Sequence, residues 1–294
     1  MLNAVQSENE AQVVSQSSPL ACGSDRRVEG DRPVILEDLF SRRAGELAQL
    51  SSNGNAICPD STPVLFFGCL EQARILTVGL NPSSREFSSK NGVLQPGERR
   101  FAHASDLQSC ADPAAHALDA MRSYFQTNPF EKWFRRVERL TNAFGASLWE
   151  GTAAHTDIGS CFATDPTWSG LNAKQKARVS ASGFETFAEV VAQAPLAELL
   201  ILIGGGARDS MIENAGLTFR NIRTPLDDEP NFRHLRRCTV LSAGEWQTAW
   251  SGKTLSVLVV NPYLNGTPCA PLTSDEIAKL PTLLRAGGWI GGIL

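Results

Sequence analysis

Three polar side chains stand where apolar stretches of this sequence end: Asn81, Asp157 and Asn261. Asn81 and Asn261 are each followed by a proline, which stops an extended strand from continuing. A side-chain amide offers one acceptor and two donors, enough to hold a water molecule or the edge of a base, whereas an ionised carboxylate only accepts. The alternative is that Asn81 caps a turn and that Asp157 caps the following loop or pairs with His155.

These side chains can meet only if the elements that precede them form one sheet. Apolar and β-branched runs predict strands at 64–69, 73–80, 147–158, 199–203 and 255–260. Helical spacing of apolar residues predicts helices at 33–50 and 184–193, from 207, after a capping box at 273–276, and twice within 113–144 with a break near 128–129. Polar residues predict long loops at 83–112 and 159–178.

The alternation of strands and helices predicts an α/β fold class: a three-layer α/β/α sandwich around a mostly parallel central sheet. In such a sheet the carboxyl ends of parallel strands lie at one edge, and ligands bind there. Residues 1–32 are polar and predict a disordered tail. Residues 33–294 show no repeat or linker and predict a single domain.

Composition is typical of a soluble globular protein, with 42% hydrophobic and 20% charged residues in a chain of 294. No apolar run approaches ~20 residues, so no membrane span is expected. The seven cysteines are scattered and form no C-x-x-C pair. This pattern favours reduced thiols in a cytoplasmic protein, with neither a metal site nor another cofactor.

The net charge of −4 argues against a protein coated in basic residues, but nucleic-acid binding needs only one positive face. Basic clusters occur at 99–100, 132–139, 174–178 and 233–237, and each is either a solvated face or a phosphate-binding surface. Three glycines at 204–206 predict a tight strand-to-helix turn. The alternative is the phosphate site of a small-molecule nucleotide enzyme, although the lysine of a P-loop is missing.

The strand ends resemble the uracil-DNA glycosylase superfamily. The sequence VGLNPS at 78–83 resembles the first motif of that family in its asparagine-bearing branches, and VNPYLNG at 260–266 resembles the second motif of the mismatch-specific branch. AHTD at 154–157 falls where the family ends its central strand with a base-reading residue. The resemblance covers roughly residues 64–290. It implies the fold of that family and hydrolysis of the N-glycosidic bond of a base flipped out of duplex DNA.

The resemblance also implies residue roles. Asn81 would orient the attacking water, where the faster branches of the family carry an aspartate. Asn261 would donate to the base oxygen as negative charge develops, where the more active branches carry a histidine. Tyr263 or Leu264 would enter the duplex as a wedge. The remaining base-binding candidates are Asp157, His155, Gly79, whose lack of a side chain lets the backbone approach a ligand, and Phe87 or Phe101, which are equally plausible as core aromatics.

Asp157 indicates the target base, because an acceptor suits the exocyclic amine of cytosine and repels uracil O4. Unmodified cytosine is excluded, since its removal would destroy the host genome. A narrower resemblance to bacterial phage-defence glycosylases implies α-glucosyl-5-hydroxymethylcytosine as the target, with Arg85, Glu86, Asp106, Asp165 and Trp168 as candidate sugar contacts. No lysine stands at the strand ends to form a Schiff base, so the enzyme would be monofunctional.

The partner predicted from this resemblance is double-stranded DNA carrying a modified base, with no membrane and no obligate protein partner. Two other functions stay open on the same fold. One is repair of uracil or thymine opposite guanine. The other is a non-catalytic DNA-binding module.

Overall fold

The computed structural model describes residues 35–52, 56–221, 240–248, 252–261, 263–264, 267–268 and 272–286. The helices in this part of the chain are α1 (Leu36–Ser52), α2 (Ala104–Leu107), α3 (Pro113–Arg122), α4 (Glu131–Ala143), α5 (Ala173–Val179), α6 (Gly183–Ala192), α7 (Gly205–Ala215) and α8 (Ser274–Ala286). The strands are β1 (Ile75–Gly79), β2 (Ser88–Ser89), β3 (Gly92–Val93), β4 (Ala153–Asp157), β5 (Leu199–Ile203), β6 (Arg220–Asn221), β7 (Val240–Gln247), β8 (Thr254–Asn261), β9 (Tyr263–Leu264) and β10 (Thr267–Pro268).

Backbone contacts divide the chain into Met1–Arg32 and Pro33–Leu294. The first unit lies outside the described residues, so the disordered tail stays a prediction. None of the described helices is both long and apolar enough to cross a membrane.

The central sheet has the strand order β4-β1-β5-β8-β7-β6. The first four strands are parallel, whereas β7 and β6 run antiparallel to their neighbours. Every residue of β1, β4 and β5 is buried, as expected for parallel strands with both faces covered. The predicted α/β class and mostly parallel sheet are confirmed, and helices flanking the sheet are compatible with a three-layer arrangement.

The connections place a topological switch at β1. The chain passes from β1 to its neighbour β4 through α3 and α4, and then returns through α5 and α6 to β5 on the opposite side of β1. Connections that leave in opposite directions open a crevice at the carboxyl ends of the two central strands. By this rule the strand order favours ligand binding beside the carboxyl end of β1, which Asn81 follows in the sequence.

Helix α4 covers the β1–β4 side of the sheet with an apolar face. Phe134, Val137 and Leu140 are buried at helical spacing. The Phe134 ring lies 5.3 Å from both the Phe67 and the His155 rings. This packing holds the first turns of α4 against β4.

The predicted strand at 64–69 forms only an isolated bridge. Phe67 N–H donates to the His155 carbonyl at 2.8 Å, and His155 N–H donates to the Phe67 carbonyl at 3.0 Å. The Thr156 hydroxyl donates to the Leu65 carbonyl at 2.9 Å. Pairing ends at Gly68, whose φ of +91° turns the chain away. The segment at 64–67 thus covers the outer edge of β4 without a regular ladder.

The predicted helices are confirmed, whereas the two predicted long loops contain structure of their own. The first holds the β2–β3 hairpin and α2, and the second holds α5. Asn172 accepts from Gln175 N–H at 2.9 Å while the Gln175 side chain accepts from Asn172 N–H, also at 2.9 Å. The residue types of this capping box, Asn172 and Gln175, are a signal in the sequence that would have predicted the start of α5. The capping box predicted for α8 is present, with Glu276 N–H donating to Thr273 Oγ1.

Candidate functional site

The carboxyl ends of β1 and β4 are joined directly. Gly79 and Asp157 are partners in the parallel register. Beyond them, the Leu80 carbonyl accepts from Gly159 N–H at 2.9 Å and from Ser160 N–H at 3.1 Å. These hydrogen bonds join the segment after β1 to the segment after β4, and they keep Asp157 beside the backbone that leads to Asn81.

Gly79 is required by space. A Cβ built on it would lie 2.3 Å from Asp157 Oδ1 and 3.1 Å from His155 Nε2. No carbon atom can approach a carboxylate oxygen that closely. The absence of a side chain at Gly79 therefore lets the Asp157 carboxyl group lie against the end of β1.

The two oxygens of Asp157 have different surroundings. Its side chain is only 3% exposed. Oδ1 lies 3.6 Å from His155 Nε2, which is too long for a hydrogen bond. Oδ2 is buried and receives no hydrogen bond from any residue that the structure describes. A buried oxygen in this condition carries a free-energy penalty of about 1–3 kcal/mol until a donor reaches it.

His155 is held from its other nitrogen and from its ring faces. Nδ1 lies 2.9 Å from Thr77 Oγ1, and the Thr77 hydroxyl is also within 3.2 Å of the Ala154 carbonyl. The ring packs edge-on against Phe67 at 5.1 Å and Trp133 at 5.0 Å. The His155 ring is therefore fixed in position next to Asp157, on the interior side of the carboxyl group.

Asn81 is oriented by two acceptors. Nδ2 donates to the Pro82 carbonyl at 2.9 Å and to Thr164 Oγ1 at 3.3 Å. A carbonyl oxygen cannot donate, so the atom that faces it must be the amide nitrogen. No described residue donates to Asn81 Oδ1, and the side chain is half-buried. The amide thus presents a free acceptor while its nitrogen is held.

Phe87 and Phe101 lie in the aromatic core. Phe87 is 0% and Phe101 is 3% exposed. Phe101 is stacked between Phe87, at 5.9 Å, and Tyr124, at 4.9 Å. The structure therefore shows the core alternative for both, since neither ring has a face open to a base.

The second motif is described only in its backbone. Asn261 is the last residue of β8 and pairs with Val240, and β5 lies between β8 and β1. Tyr263 and Leu264 form β9, which pairs with β10. The structure describes only the backbone of Asn261, Tyr263 and Leu264. Their roles as donor and wedge stay predictions.

Glu86 was proposed only as a sugar contact, yet the structure places it inside the protein at 2% exposure. Its Oε2 accepts from the Tyr124 hydroxyl at 2.8 Å, and Tyr124 Oη accepts from Phe130 N–H at 2.9 Å. Burial raises the pKa of Glu86 to about 7, the charge of Asp157 adds to this, and Tyr124 and Arg100 oppose it. Nothing in the sequence pattern indicated that this loop residue is buried.

The glycine turn at 204–206 serves packing between strands. Gly204 has a φ of +94°, and its N–H donates to the Val260 carbonyl at 3.2 Å. A Cβ on Gly206 would lie 3.0 Å from the Leu80 side chain. These contacts support a tight turn.

The described residues include no group of three potential metal ligands. Comparison with known proteins gives no match: no protein-family model matches the chain, and neither does any curated protein.

Proposed function

We propose that this protein is a monofunctional DNA glycosylase with a uracil-DNA glycosylase-like fold. It flips a modified pyrimidine out of duplex DNA and hydrolyses its N-glycosidic bond, which leaves an abasic site. The proposed base is a modified cytosine, α-glucosyl-5-hydroxymethylcytosine of phage DNA, and the proposed role is antiviral defence.

The observation that carries the proposal is the buried Oδ2 of Asp157, which has no hydrogen-bond partner among the described residues and belongs to the joined carboxyl ends of β1 and β4. The exocyclic amine of cytosine supplies the donor that this oxygen needs. Uracil has an acceptor, O4, in place of this amine. Asp157 Oδ2 would then stay without a donor and would face the lone pairs of uracil O4. Sites with a buried group of this kind discriminate strongly against a ligand that cannot satisfy it.

The free acceptor of Asn81 supports the hydrolytic step. Oδ1 accepts a hydrogen bond from a water molecule and directs the oxygen lone pair of that water at C1′ of the flipped nucleotide. The electron pair of the C1′–N1 bond leaves with the base, the water oxygen bonds to C1′, and a proton from the water ends on the departing base. An amide removes no proton itself, so the step is slower than with a carboxylate.

The strand order supports the assignment of the second motif. Neighbouring strands lie about 4.8 Å apart, so the ends of β1 and β8 are separated by about 10 Å across β5. A pyrimidine whose sugar faces Asn81 would have room for its base between these strand ends. Asn261 would then donate to the base oxygen that gains negative charge.

The test uses labelled duplexes carrying glucosylated 5-hydroxymethylcytosine, 5-hydroxymethylcytosine, cytosine, or uracil or thymine opposite guanine, with hot alkali to cut abasic sites. We expect release of the glucosylated base alone. Asn81→Ala should lower the rate on the order of 10²-fold or more, because the water loses its acceptor. Asp157→Asn should lower release of the cytosine-type base, because a neutral amide oxygen is a weaker acceptor for the amine than a carboxylate. Unfolding of both variants in urea checks that they are folded.

Other outcomes would redirect the assignment. Release of uracil that Asp157→Asn preserves or improves would contradict the cytosine target and favour mismatch repair. Binding of duplexes without release of any base, unchanged in Asn81→Ala, would favour the non-catalytic module.

A further inference from the structure

Helix α4 carries a row of cations on the side opposite its buried face. Lys132, Arg136 and Arg139 are four and three residues apart, which places them on one face of the helix. All three are exposed, and none forms a hydrogen bond or ion pair with a described residue. Together, these three residues form the α4 basic stripe.

The acidic residues of α4 do not neutralise the stripe. Glu131 is paired with Arg135 at 2.8 Å. Glu138 turns inward, where it accepts from Ser147 Oγ at 2.6 Å and from Leu148 N–H at 2.8 Å. The stripe therefore presents three positive charges that no acidic side chain of the described residues pairs with, on a chain whose net charge is −4.

The same helix touches the candidate site. Trp133 lies between Lys132 and the buried face, and its ring is 5.0 Å from that of His155. Arg136 is three residues after Trp133 and is its neighbour on the helix surface. Helix α4 also contacts β10, so it lies beside the β9–β10 hairpin, whose first strand belongs to the second motif. The stripe thus begins next to the predicted point of base entry.

We infer that the α4 basic stripe binds the phosphate backbone of the duplex whose base enters the site, an inference that rests on the proposed function. Lys132 and Arg139 are seven residue steps apart, about 10 Å of helix, which is the length of duplex axis over which one strand carries about three phosphates. Contacts of this kind carry no sequence information but determine the register and orientation of the protein on DNA. The stripe would hold the strand while the base turns into the crevice.

The experiment measures the dissociation constant of a fluorescent duplex without any modified base over a range of salt concentrations. Lys132→Gln/Arg136→Gln removes two contacts, so the slope of log K against log salt should become shallower by about two, and the affinity near ~0.1 M salt should fall on the order of tenfold. Arg74→Gln/Lys253→Gln removes two charges at the amino ends of β1 and β8, on the opposite edge of the sheet, and is the matched control that should leave both values unchanged.

The outcomes separate this inference from the proposed function. A wild-type slope in the α4 variant would overturn the inference even if the protein releases bases. A shallower slope in a protein that releases no base from any duplex would support the inference while the proposed function fails. Binding of phosphatidylserine vesicles through the stripe, with no duplex binding, would overturn it as well.

Discussion

At the scale of residues, the two central side chains each have an oxygen that receives no hydrogen bond from a described residue. Asn81 Nδ2 donates to the Pro82 carbonyl and to Thr164, and none of the residues that the structure describes donates to Oδ1. Asp157 turns Oδ1 toward His155 and leaves Oδ2 without a donor. The residue types and their positions were predictable from the sequence. Which atoms stay free was not, because Thr164 is 83 residues from Asn81.

Gly79→Ala tests how closely the site is packed. The new Cβ would lie 2.3 Å from Asp157 Oδ1, so the carboxyl group must move. A displacement of about 1 Å can cost on the order of 10²-fold in rate, and we expect a loss of that size in base release. The measurement is single-turnover excision from the glucosylated duplex.

The control for this substitution is Gly45→Ala. Gly45 lies in α1, and a Cβ there would meet nothing within 4 Å. Excision should be unchanged, and the free energy of unfolding should rise by up to about 1 kcal/mol because alanine favours the helix. If Gly79→Ala releases the base at the wild-type rate, the close approach of the Asp157 carboxyl group to Gly79 is not needed for excision.

At the scale of elements, one hydrogen-bonded chain links three parts of the fold. Glu86, in the loop after β1, accepts from Tyr124, and Tyr124 accepts from the N–H of Phe130, which precedes α4. The link ties the loop after Asn81 to the start of the helix that carries Trp133. Hydrophobic periodicity predicted these helices and strands but not this link, which depends on how the loop folds back.

Glu86→Gln should remove a pH dependence of stability. Because the pKa of Glu86 is raised from an ordinary 4.5 to about 7, the folded protein keeps a proton that the unfolded chain releases over this interval. The free energy of unfolding of the wild type therefore falls as pH rises through the interval, by about 3 kcal/mol in all. Glutamine keeps an acceptor for Tyr124 and carries no charge, so the variant should be the more stable protein near pH ~8.

Urea unfolding at pH values from ~4 to ~8 measures this difference. Glu98→Gln is the control, because Glu98 is exposed on the same loop, and its profile should follow that of the wild type. Parallel profiles for Glu86→Gln and the wild type would contradict a buried, protonated carboxyl group.

At the scale of the whole molecule, the order of the strands creates the site. Residues 81, 157 and 261 come from distant parts of the chain and reach one edge because four strands are parallel. The alternating pattern predicted that edge. It could not predict β7, whose sequence mixes polar residues and Gly244 with apolar ones, because such a strand lacks the continuous apolar run of the buried strands.

A variant that begins at residue 33 tests the division of the chain. The polar composition of residues 1–32 predicts that they bury little apolar surface, so unfolding in urea and base release should match the full chain. A deletion through residue 40 is the contrast, because it removes the buried Leu36, Leu39 and Phe40 of α1 and should cost several kcal/mol. A loss of stability in the shorter deletion would show that the tail belongs to the domain.

The segment at 64–67 has a consequence for the behaviour of this protein at high concentration. β4 is the outermost parallel strand, and an uncovered strand there would offer its free N–H and carbonyl groups to other copies of the chain. Phe67 pairs with both backbone groups of His155 on this edge, and the Ala153 N–H donates to the Ser147 carbonyl at 2.9 Å. The cover discourages edge-to-edge aggregation. Because the contact between Phe67 and His155 spans 88 residues of chain, we expect it to form late in folding. Until it forms, the open edge of β4 is where we expect self-association to begin.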